Sequence, residues 1–269
     1  MKKLLLILLF LPLIGFGQNV SILDANFKAY LVGEPSINTN GDTEIQLSEA
    51  TAFNGAINCS MMNITDLTGI EAFTALTSLW CLINSLTSLD VSNNTALILF
   101  GCSNNQLASL DVSNNTALTW LDCSENFITS LDVSKNTALT LLSTHNNQIT
   151  SLDVSQNTTL DYLNCQLMQL TSLDVRNGNN QNISDFFCLH NANLTCINVD
   201  DSTWSTANWT VANGDIDPQH YFSNNCNGTS IQEHNTNKEL LKVIDLLGRE
   251  IKQTNQPLFY IYDDGTVEK

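Results

Sequence analysis

The chain has 269 residues, of which 27 are acidic and 10 basic, giving a formal charge of −17. This balance excludes nucleic acid and anionic membrane surfaces as expected partners, because both repel an acidic protein. Hydrophobic residues make up 43% of the chain and charged residues only 14%, so a packed core is expected and not a disordered acidic tail.

The first 17 residues have the pattern of a secretory signal peptide. Lys2 and Lys3 precede an apolar run over 4–14, and small residues lie just before Gln18. The apolar run is too short to span a bilayer. We therefore expect cleavage between Gly17 and Gln18 and no transmembrane anchor. The mature protein is expected to be secreted or held on the outer cell surface.

Residues 18–50 predict a small N-terminal cap that begins with a helix over 24–32. Behind this helix, the segment 38–49 resembles the calcium loop of the EF-hand. Its expected oxygen ligands are Asn38, Asn40, Asp42, the carbonyl group of Glu44 and bidentate Glu49.

Two positions of this loop depart from the EF-hand pattern. The first position is Asn38 where Asp is usual, and the sixth is Thr43 where the sharp turn favours Gly. A calcium site and a plain polar turn both fit this sequence. Calcium is the one cofactor that the sequence suggests.

A 21-residue repeat dominates the segment 51–200. Its leucines recur at a fixed spacing, at Leu89, Leu110, Leu131, Leu152 and Leu173. The first half of each unit matches LxxLxCxxNxL, as in LTWLDCSENFI over 118–128, and this resembles the leucine-rich-repeat superfamily. The second half, TSLDVSxNTA, favours strand over helix. We therefore expect a leucine-rich-repeat solenoid that is right-handed and mainly parallel β, with strands on both sides of each coil and little helix.

Several repeat positions predict ladders of stacked, inward-facing side chains. Carboxamides are expected to satisfy backbone groups of the neighbouring coil at Asn84, Asn105, Asn126 and Asn147, with a second ladder at Asn94, Asn115, Asn136 and Asn157. Six cysteines share one inward position and predict small buried hydrophobic side chains: Cys59, Cys81, Cys102, Cys123, Cys165 and Cys188. Thr144 occupies the missing rung.

The other two cysteines, Cys196 and Cys226, predict a disulfide that closes a C-terminal cap over 201–230. The segment between them carries aromatic side chains that are expected to cover the end of the core: Trp204, Trp209, Tyr221 and Phe222.

The outward positions of the first strand differ in every copy of the repeat, whereas those of the second strand stay Ser and Asp. The variable positions include aromatic side chains of the kind that anchor protein or sugar partners. The candidate ligand-binding residues are Trp80, Leu99, Trp120, Asp122, Leu141, Tyr162 and Asn164. The alternative is that these side chains only cover the sheet.

Residues 231–269 predict a polar linker followed by a small β module. The segments 243–250, 257–260 and 265–269 resemble the C-terminal sorting domain of type IX secretion substrates from Bacteroidetes-type bacteria. This resemblance implies export through the type IX machinery and removal of the tail. Such tails usually continue into a final basic and apolar strand, so either the sequence is truncated or sorting is impaired.

These patterns favour a binding protein over an enzyme. None of the four histidines has a partner pattern for nucleophilic or metal chemistry. The leading interpretation is a monomeric, adhesin-like protein that binds a protein or glycan on its first-strand surface. The alternatives are a calcium-stabilised structural or matrix protein without a specific ligand, and the non-catalytic part of an exported hydrolase.

Overall fold

The structure, a computed structural model, describes residues 18–226 and the backbone of three short strands within 240–268. The predicted signal peptide, its cleavage site after Gly17 and most of the predicted linker lie outside the described residues. Two units are distinguished, with the boundary between Cys226 and Asn227.

The first unit is a solenoid in which each coil of the chain adds one short strand to a parallel sheet. This first sheet has the order β1-β2-β3-β4-β5-β7-β9. Its strands are β1 Ala56–Asn58, β2 Ser78–Trp80, β3 Leu99–Gly101, β4 Trp120–Asp122, β5 Leu141–Ser143, β7 Tyr162–Asn164 and β9 Asp185–Phe187. The middle residue of each strand is buried, which follows from the alternation of side chains along a strand.

A second parallel sheet forms on the other side of the C-terminal coils, with the order β11-β10-β8-β6. Its strands are β6 Ser151–Asp153, β8 Ser172–Asp174, β10 Cys196–Asn198 and β11 Tyr221–Ser223. The fold class is therefore the predicted one, a parallel-strand solenoid of stacked coils with little helix.

The expectation of a second strand in every coil is wrong for the N-terminal coils. The segments around Leu89, Leu110 and Leu131 carry the same Ser-Leu-Asp-Val sequence as β6 and β8, yet they form no strand. Because the Ser-Leu-Asp-Val sequence is the same in all these coils, local strand propensity does not explain the difference. A surface groove of about 710 Å³ lies along this side, lined by residues that include Asp66, Ser88 and Asp111.

Asparagine side chains join one coil to the next at the turn that follows each first-sheet strand. Asn126 accepts a hydrogen bond from the Leu107 backbone N–H at 2.9 Å and donates to the Cys102 carbonyl at 3.1 Å. Asn84, Asn105 and Asn147 do the same in their coils. Met168 takes the place of asparagine in the next coil, and Asn191 resumes the ladder in the slipped coil, where sequence spacing alone did not place it.

The side chains of the second asparagine ladder are fully buried, and their Nδ2 groups donate hydrogen bonds to carbonyl groups of preceding coils. Asn136, for example, donates from Nδ2 to the Val112 and Asn115 carbonyl groups at 2.9 and 3.0 Å. The six cysteines of the shared inward position are all buried with free thiols. Burial raises the pKa of the Cys59 thiol to about 12 and also raises the pKa of Cys81 and of Cys102. The thiols of Cys59, Cys81 and Cys102 therefore remain protonated and unreactive.

The N-terminal end of the solenoid is closed by two helices, α1 Ala25–Gly33 and α2 Leu47–Ala52. Asp24 caps α1 by accepting from the backbone N–H groups of Asn26 and Phe27. Phe27 and Leu31 are fully buried, so this helix covers the first coil. Short 3₁₀ helices at Ile70–Ala72 and Asn180–Asn182 complete the turns.

The C-terminal end is closed by α3 Ser202–Asn208, by β11 and by the disulfide between Cys196 and Cys226. Trp209 stacks on Phe186 of the last first-sheet strand with 4.2 Å between ring centroids, and Trp204 and Phe222 pack beside it. The expectation that Tyr221 also covers the core is wrong, because it is 49% exposed: side chains alternate along β11, and Phe222 takes the inward position.

The second unit is described only by the backbone of an antiparallel sheet with the order β12-β13-β14. Its strands are β12 Leu240–Ile244, β13 Phe259–Tyr262 and β14 Val267–Glu268. In the parts of the chain that the structure describes, no helix is long and apolar enough to cross a membrane.

The asparagine ladder yields a test of what holds the coils together. Asn126→Ala leaves the buried Leu107 N–H and several carbonyl groups without partners, so we expect it to lower the free energy of unfolding by roughly 2–4 kcal/mol. Urea denaturation followed by circular dichroism measures the change. Asn114→Ala, at an exposed site of the preceding coil, serves as control and should shift stability by less than about 0.5 kcal/mol. Equal effects of the two substitutions would contradict this role.

Candidate functional site

The outward side chains of the first sheet form two parallel rows. One row runs through Ser78, Leu99, Trp120, Leu141 and Tyr162, and the other through Trp80, Gly101, Asp122, Ser143 and Asn164. Adjacent parallel strands lie about 4.8 Å apart, so neighbours within a row are in contact range. All seven candidate binding residues therefore fall on one surface, here called the first-sheet face.

The N-terminal half of this face is built around a missing side chain. A Cβ atom at Gly101 would lie 2.6 Å from Cε3 and 2.8 Å from Cζ3 of Trp80, so the Trp80 indole occupies that space. Through it Trp80 reaches Trp120, with ring centroids 6.1 Å apart and an interplanar angle of 77°. Leu82 Cδ1 would lie 3.1 Å from the same Cβ position. The two indoles thus form a single apolar feature across three strands.

Asp122 lies beside this pair, on the same strand and the same face as Trp120. Its Oδ1 accepts hydrogen bonds from the Ser124 backbone N–H at 3.1 Å and from the Ser124 hydroxyl at 2.6 Å. Among residues 18–226, no group donates to Oδ2. The carboxylate is therefore held in place by one oxygen while the other stays available to a ligand.

The C-terminal half of the face carries a second aromatic pair. Tyr162 and Phe187 lie 5.8 Å apart between ring centroids. Asn164 contributes little surface: it is 7% exposed, donates to the Tyr162 hydroxyl at 3.5 Å and accepts from the Gln166 backbone N–H. A ligand contact by Asn164 stays a prediction, and in the structure its side chain supports Tyr162. Leu141 is half-buried between the two halves.

Phe187 also belongs to this face, although the repeat pattern did not indicate it, because the repeat lengthens in that coil. Pairing of Asn164 with Phe187 in the sheet places Phe187 in the row of Trp80 and Asp122. The only sequence signal was Cys188, which follows Phe187 as Cys81 follows Trp80.

The constant aspartates of the opposite side have a structural role. In coil after coil the Oδ1 atom accepts the backbone N–H of the residue two positions later, as between Asp111 and Ser113 at 2.9 Å. Hydrogen bonds from Ser113 hold the pKa of Asp111 below its usual value. These carboxylates fix turns, which explains why the sequence keeps them unchanged while the first-sheet face varies.

The expected calcium ligands gather in one loop between α1 and α2, but most of their oxygens already accept hydrogen bonds. Glu49 Oε1 accepts from the Thr39 backbone N–H at 2.8 Å and Oε2 from Gln46 N–H at 2.9 Å. Asn38 Oδ1 accepts from Gly41 N–H at 3.0 Å.

The remaining loop oxygens are engaged in the same way. Asn40 Oδ1 accepts from the Asp42 N–H, and Asp42 Oδ1 from the Glu44 N–H. The side chain of Glu44 pairs with Lys28 at 2.6 Å. Within the described part of the chain, no three His, Cys, Asp or Glu residues are arranged to hold a metal ion. Calcium binding here stays a prediction, and a calcium ion would have to displace these bonds.

One histidine has neighbours that the sequence did not indicate. His145 Nδ1 lies 3.0 Å from the Ser143 hydroxyl, and its Nε2 lies 3.9 Å from Glu125 Oε1. The second distance is too long for a hydrogen bond, and Ser143 is only 7% exposed. This arrangement therefore lacks the linked nucleophile, base and orienting group that acyl transfer needs.

The repeat sequence and the stacked parallel strands together define the class of this protein, a leucine-rich-repeat solenoid. No family model matches the chain. Over 57 residues, 21% of this chain, it is 44% identical to Internalin J of Listeria monocytogenes serotype 4b (strain F2365), and that stretch is 6% of Internalin J.

Solved structures with similarity to this chain are also leucine-rich-repeat proteins. The functional domain of InlJ from Listeria monocytogenes, which includes a cysteine ladder, is 30% identical with a TM-score of 0.45, over 68% of this chain and 52% of that one. An internalin, InlF, from Listeria monocytogenes str. 4b F2365 is 22% identical with a TM-score of 0.47, over 58% and 49%. The chain thus spans about half the length of these solved chains.

The contact between Trp80 and Gly101 can be tested directly. Gly101→Ala places a methyl group where the indole lies, so we expect Trp80 to leave Trp120 and the stability to fall by about 1–2 kcal/mol. Loss of the exciton signal of the indole pair in circular dichroism reports the separation. Ser143→Ala, two strands along the same row, is the control and should keep the signal. An unchanged signal in Gly101→Ala would contradict the packing.

The role of Glu49 predicts how cap stability depends on pH. Burial raises the pKa of Glu49, but hydrogen bonds from Gln46, Thr39 and Asn40 outweigh it and leave the pKa below its usual value. The stabilisation is therefore present at neutral pH and is lost as the pH falls through the folded-state pKa. Glu49→Gln should lower stability by about 1–2 kcal/mol at pH 7.

Melting curves at neutral and acidic pH measure this effect. The difference between the original chain and Glu49→Gln should shrink as the pH falls from the ordinary glutamate pKa of about 4.3 through the lower folded-state pKa of Glu49. Glu34→Gln, outside the loop in the same cap, is the control and should show no such convergence. Repeating the curves with added calcium tests the calcium prediction, since binding to the folded loop raises the melting temperature.

Proposed function

We propose that this protein binds another protein through its first-sheet face and performs no catalysis. The observation that carries the proposal is the indole pair of Trp80 and Trp120, held on a rigid sheet with Trp120 still 39% exposed. Tryptophan and tyrosine dominate the binding energy of protein interfaces, because they bury a large area at a small entropic cost.

The surroundings of the pair support the same interpretation. Leu82, Leu99 and Leu141 are half-buried beside the aromatic side chains. The row from Leu99 through Trp120 and Leu141 to Tyr162 is therefore apolar, with carboxylates near it. Large exposed apolar patches on soluble proteins usually mark interaction sites. A face that varies from coil to coil over a constant scaffold fits a role in recognition better than a role in stability.

We further propose that the protein works outside the cell that makes it, either secreted or bound to the cell surface. Three features of the chain support this: the signal-like pattern over 1–17, the disulfide that closes the C-terminal cap and the resemblance of the tail to type IX sorting domains. Disulfides persist mainly in oxidising compartments. Export of a tail-deleted chain, compared with the full chain in the producing bacterium, tests the sorting role.

The binding proposal is tested with the purified chain on protein and glycan arrays, beside a Trp80→Ala, Trp120→Ala, Tyr162→Ala triple variant. We expect protein ligands whose affinity falls at least about 30-fold in the variant, because the loss of even one anchor costs on the order of 2 kcal/mol. Tyr221→Ala removes an exposed aromatic side chain elsewhere and should leave the affinity unchanged.

Two results would contradict the proposal. One is binding that survives in the triple variant, which would place the site elsewhere. The other is binding to a glycan and to no protein, which would show that the partner is a carbohydrate and not a protein. A melting temperature equal to that of the original chain excludes loss of the fold as the cause of lost binding.

A further inference from the structure

The charges of the solenoid are distributed unevenly around the first-sheet face. Residues 18–226 contain three lysine and arginine side chains, and none of them lies on this face. Lys28 pairs with Glu44 in the N-terminal cap, and Arg176 pairs with Asp174 on the second sheet. Lys135 lies in a turn after the second-side segment of its coil. The positive charges are thus either neutralised or directed elsewhere.

Carboxylates, in contrast, lie on the face or directly beside it. Asp122 is on β4 and Asp185 on β9, and Asp161 immediately precedes β7. A partner that buries the apolar centre of this face therefore meets negative charge without any competing lysine or arginine of the chain itself. Complementary charge favours partners with basic groups at the matching positions.

The strongest combination is found where the indole pair meets Asp122, a feature here called the aromatic socket, formed by Trp80, Trp120 and Asp122. Trp120 and Asp122 are two residues apart on one strand, so both side chains project from the same face. Trp80 completes the socket across Gly101. Ring faces attract cations, and the free Oδ2 of Asp122 can accept a charged hydrogen bond.

We propose that the aromatic socket receives an arginine side chain of the protein partner, an inference that rests on the proposed function. The planar guanidinium group can lie on an indole and donate to the carboxylate at the same time. Lysine carries a compact charge without a planar surface, so it can pair with Asp122 but cannot lie flat on an indole ring. The socket thus selects basic partner segments with arginine next to apolar residues.

The geometry disfavours other occupants of the same socket. A metal ion would meet only one carboxylate, that of Asp122, in the socket, whereas metal sites in proteins need several oxygen or nitrogen ligands. An acidic or phosphorylated segment meets Asp122 and no lysine or arginine of this face. An entirely apolar segment would bury Oδ2 of Asp122 without a hydrogen-bond donor, which costs free energy.

The test selects random peptides displayed on phage with the purified full chain as bait. We expect the selected peptides to be enriched in arginine flanked by apolar residues, and their affinity to fall at least about tenfold in Trp120→Ala. Synthetic versions of the best peptides are then compared with versions in which the arginine is replaced by citrulline, which keeps the planar shape but is uncharged.

A double-mutant cycle assigns the contact to the socket. Asp122→Asn and the citrulline peptide should each weaken binding about tenfold, and their combination should weaken it little further, because both remove the same charge pair. Asp185→Asn, on the last strand of the same face, removes one negative charge at a distance and should weaken binding by less than about twofold. Raised salt should reduce the affinity for the arginine peptide more than for the citrulline peptide.

The outcomes separate this inference from the proposed function. Peptides that need Trp80 and Trp120 but tolerate citrulline and Asp122→Asn would overturn the arginine socket and leave the binding face intact. If no selected peptide depends on the two tryptophans, both proposals are overturned. Additive effects of Asp122→Asn and citrulline would also overturn the socket, since they place the arginine elsewhere.

Discussion

The structure depends on one constraint: each coil must satisfy the backbone groups that the previous coil leaves exposed at its turns. The asparagine ladder meets this constraint, because one carboxamide accepts from an N–H of the preceding coil and donates to carbonyl groups of both coils. Asn126 makes four such bonds within 3.2 Å. Coils that pair their buried polar groups in this way can be stacked repeatedly, because each coil leaves the same backbone groups to be paired by the next coil.

This requirement explains why the sequence is so regular and where it is free to vary. Side chains that face inward must match the coil above and below, so leucine, cysteine and asparagine recur every 21 residues. The constant aspartates are bound to local turns in the same way. The outward positions of the first sheet carry a different residue in almost every coil. Except where a side chain packs closely on its neighbour, as Trp80 does at Gly101, the proposed recognition surface can change without altering the scaffold.

The repeat made most of the fold predictable from the sequence, because periodicity reports stacking directly. It also assigned the first-sheet residues to one surface, because equal positions of successive repeats lie side by side. Two features could not be predicted this way. The second sheet is confined to the C-terminal coils although the Ser-Leu-Asp-Val sequence is the same throughout, so the local sequence alone does not determine where it forms. Phe187 was missed since the repeat changes length just where this residue joins the face.

The calcium-loop pattern illustrates a different limit of sequence interpretation. Oxygen-bearing residues at metal-ligand spacing are also the residues that close a polar turn, and the two roles use the same atoms. In this loop the carboxylate of Glu49 accepts from the Thr39 and Gln46 backbone, and Asn38 closes the turn onto Gly41. The spacing of residues in the sequence predicts which side-chain oxygens come together. Whether they need a cation depends on the hydrogen-bond donors that surround them in the folded loop.

The aromatic socket is assembled from several coils, because equal positions of successive repeats lie side by side in the sheet. No single repeat contains the proposed socket: Trp80, Gly101 and the pair of Trp120 and Asp122 come from three successive coils. The decisive member is the residue without a side chain, because Gly101 lets an indole of one coil reach the indole two strands away. In a solenoid, a glycine on one strand can therefore shape the surface as strongly as the side chains beside it. A comparison of the repeats position by position identifies such glycines.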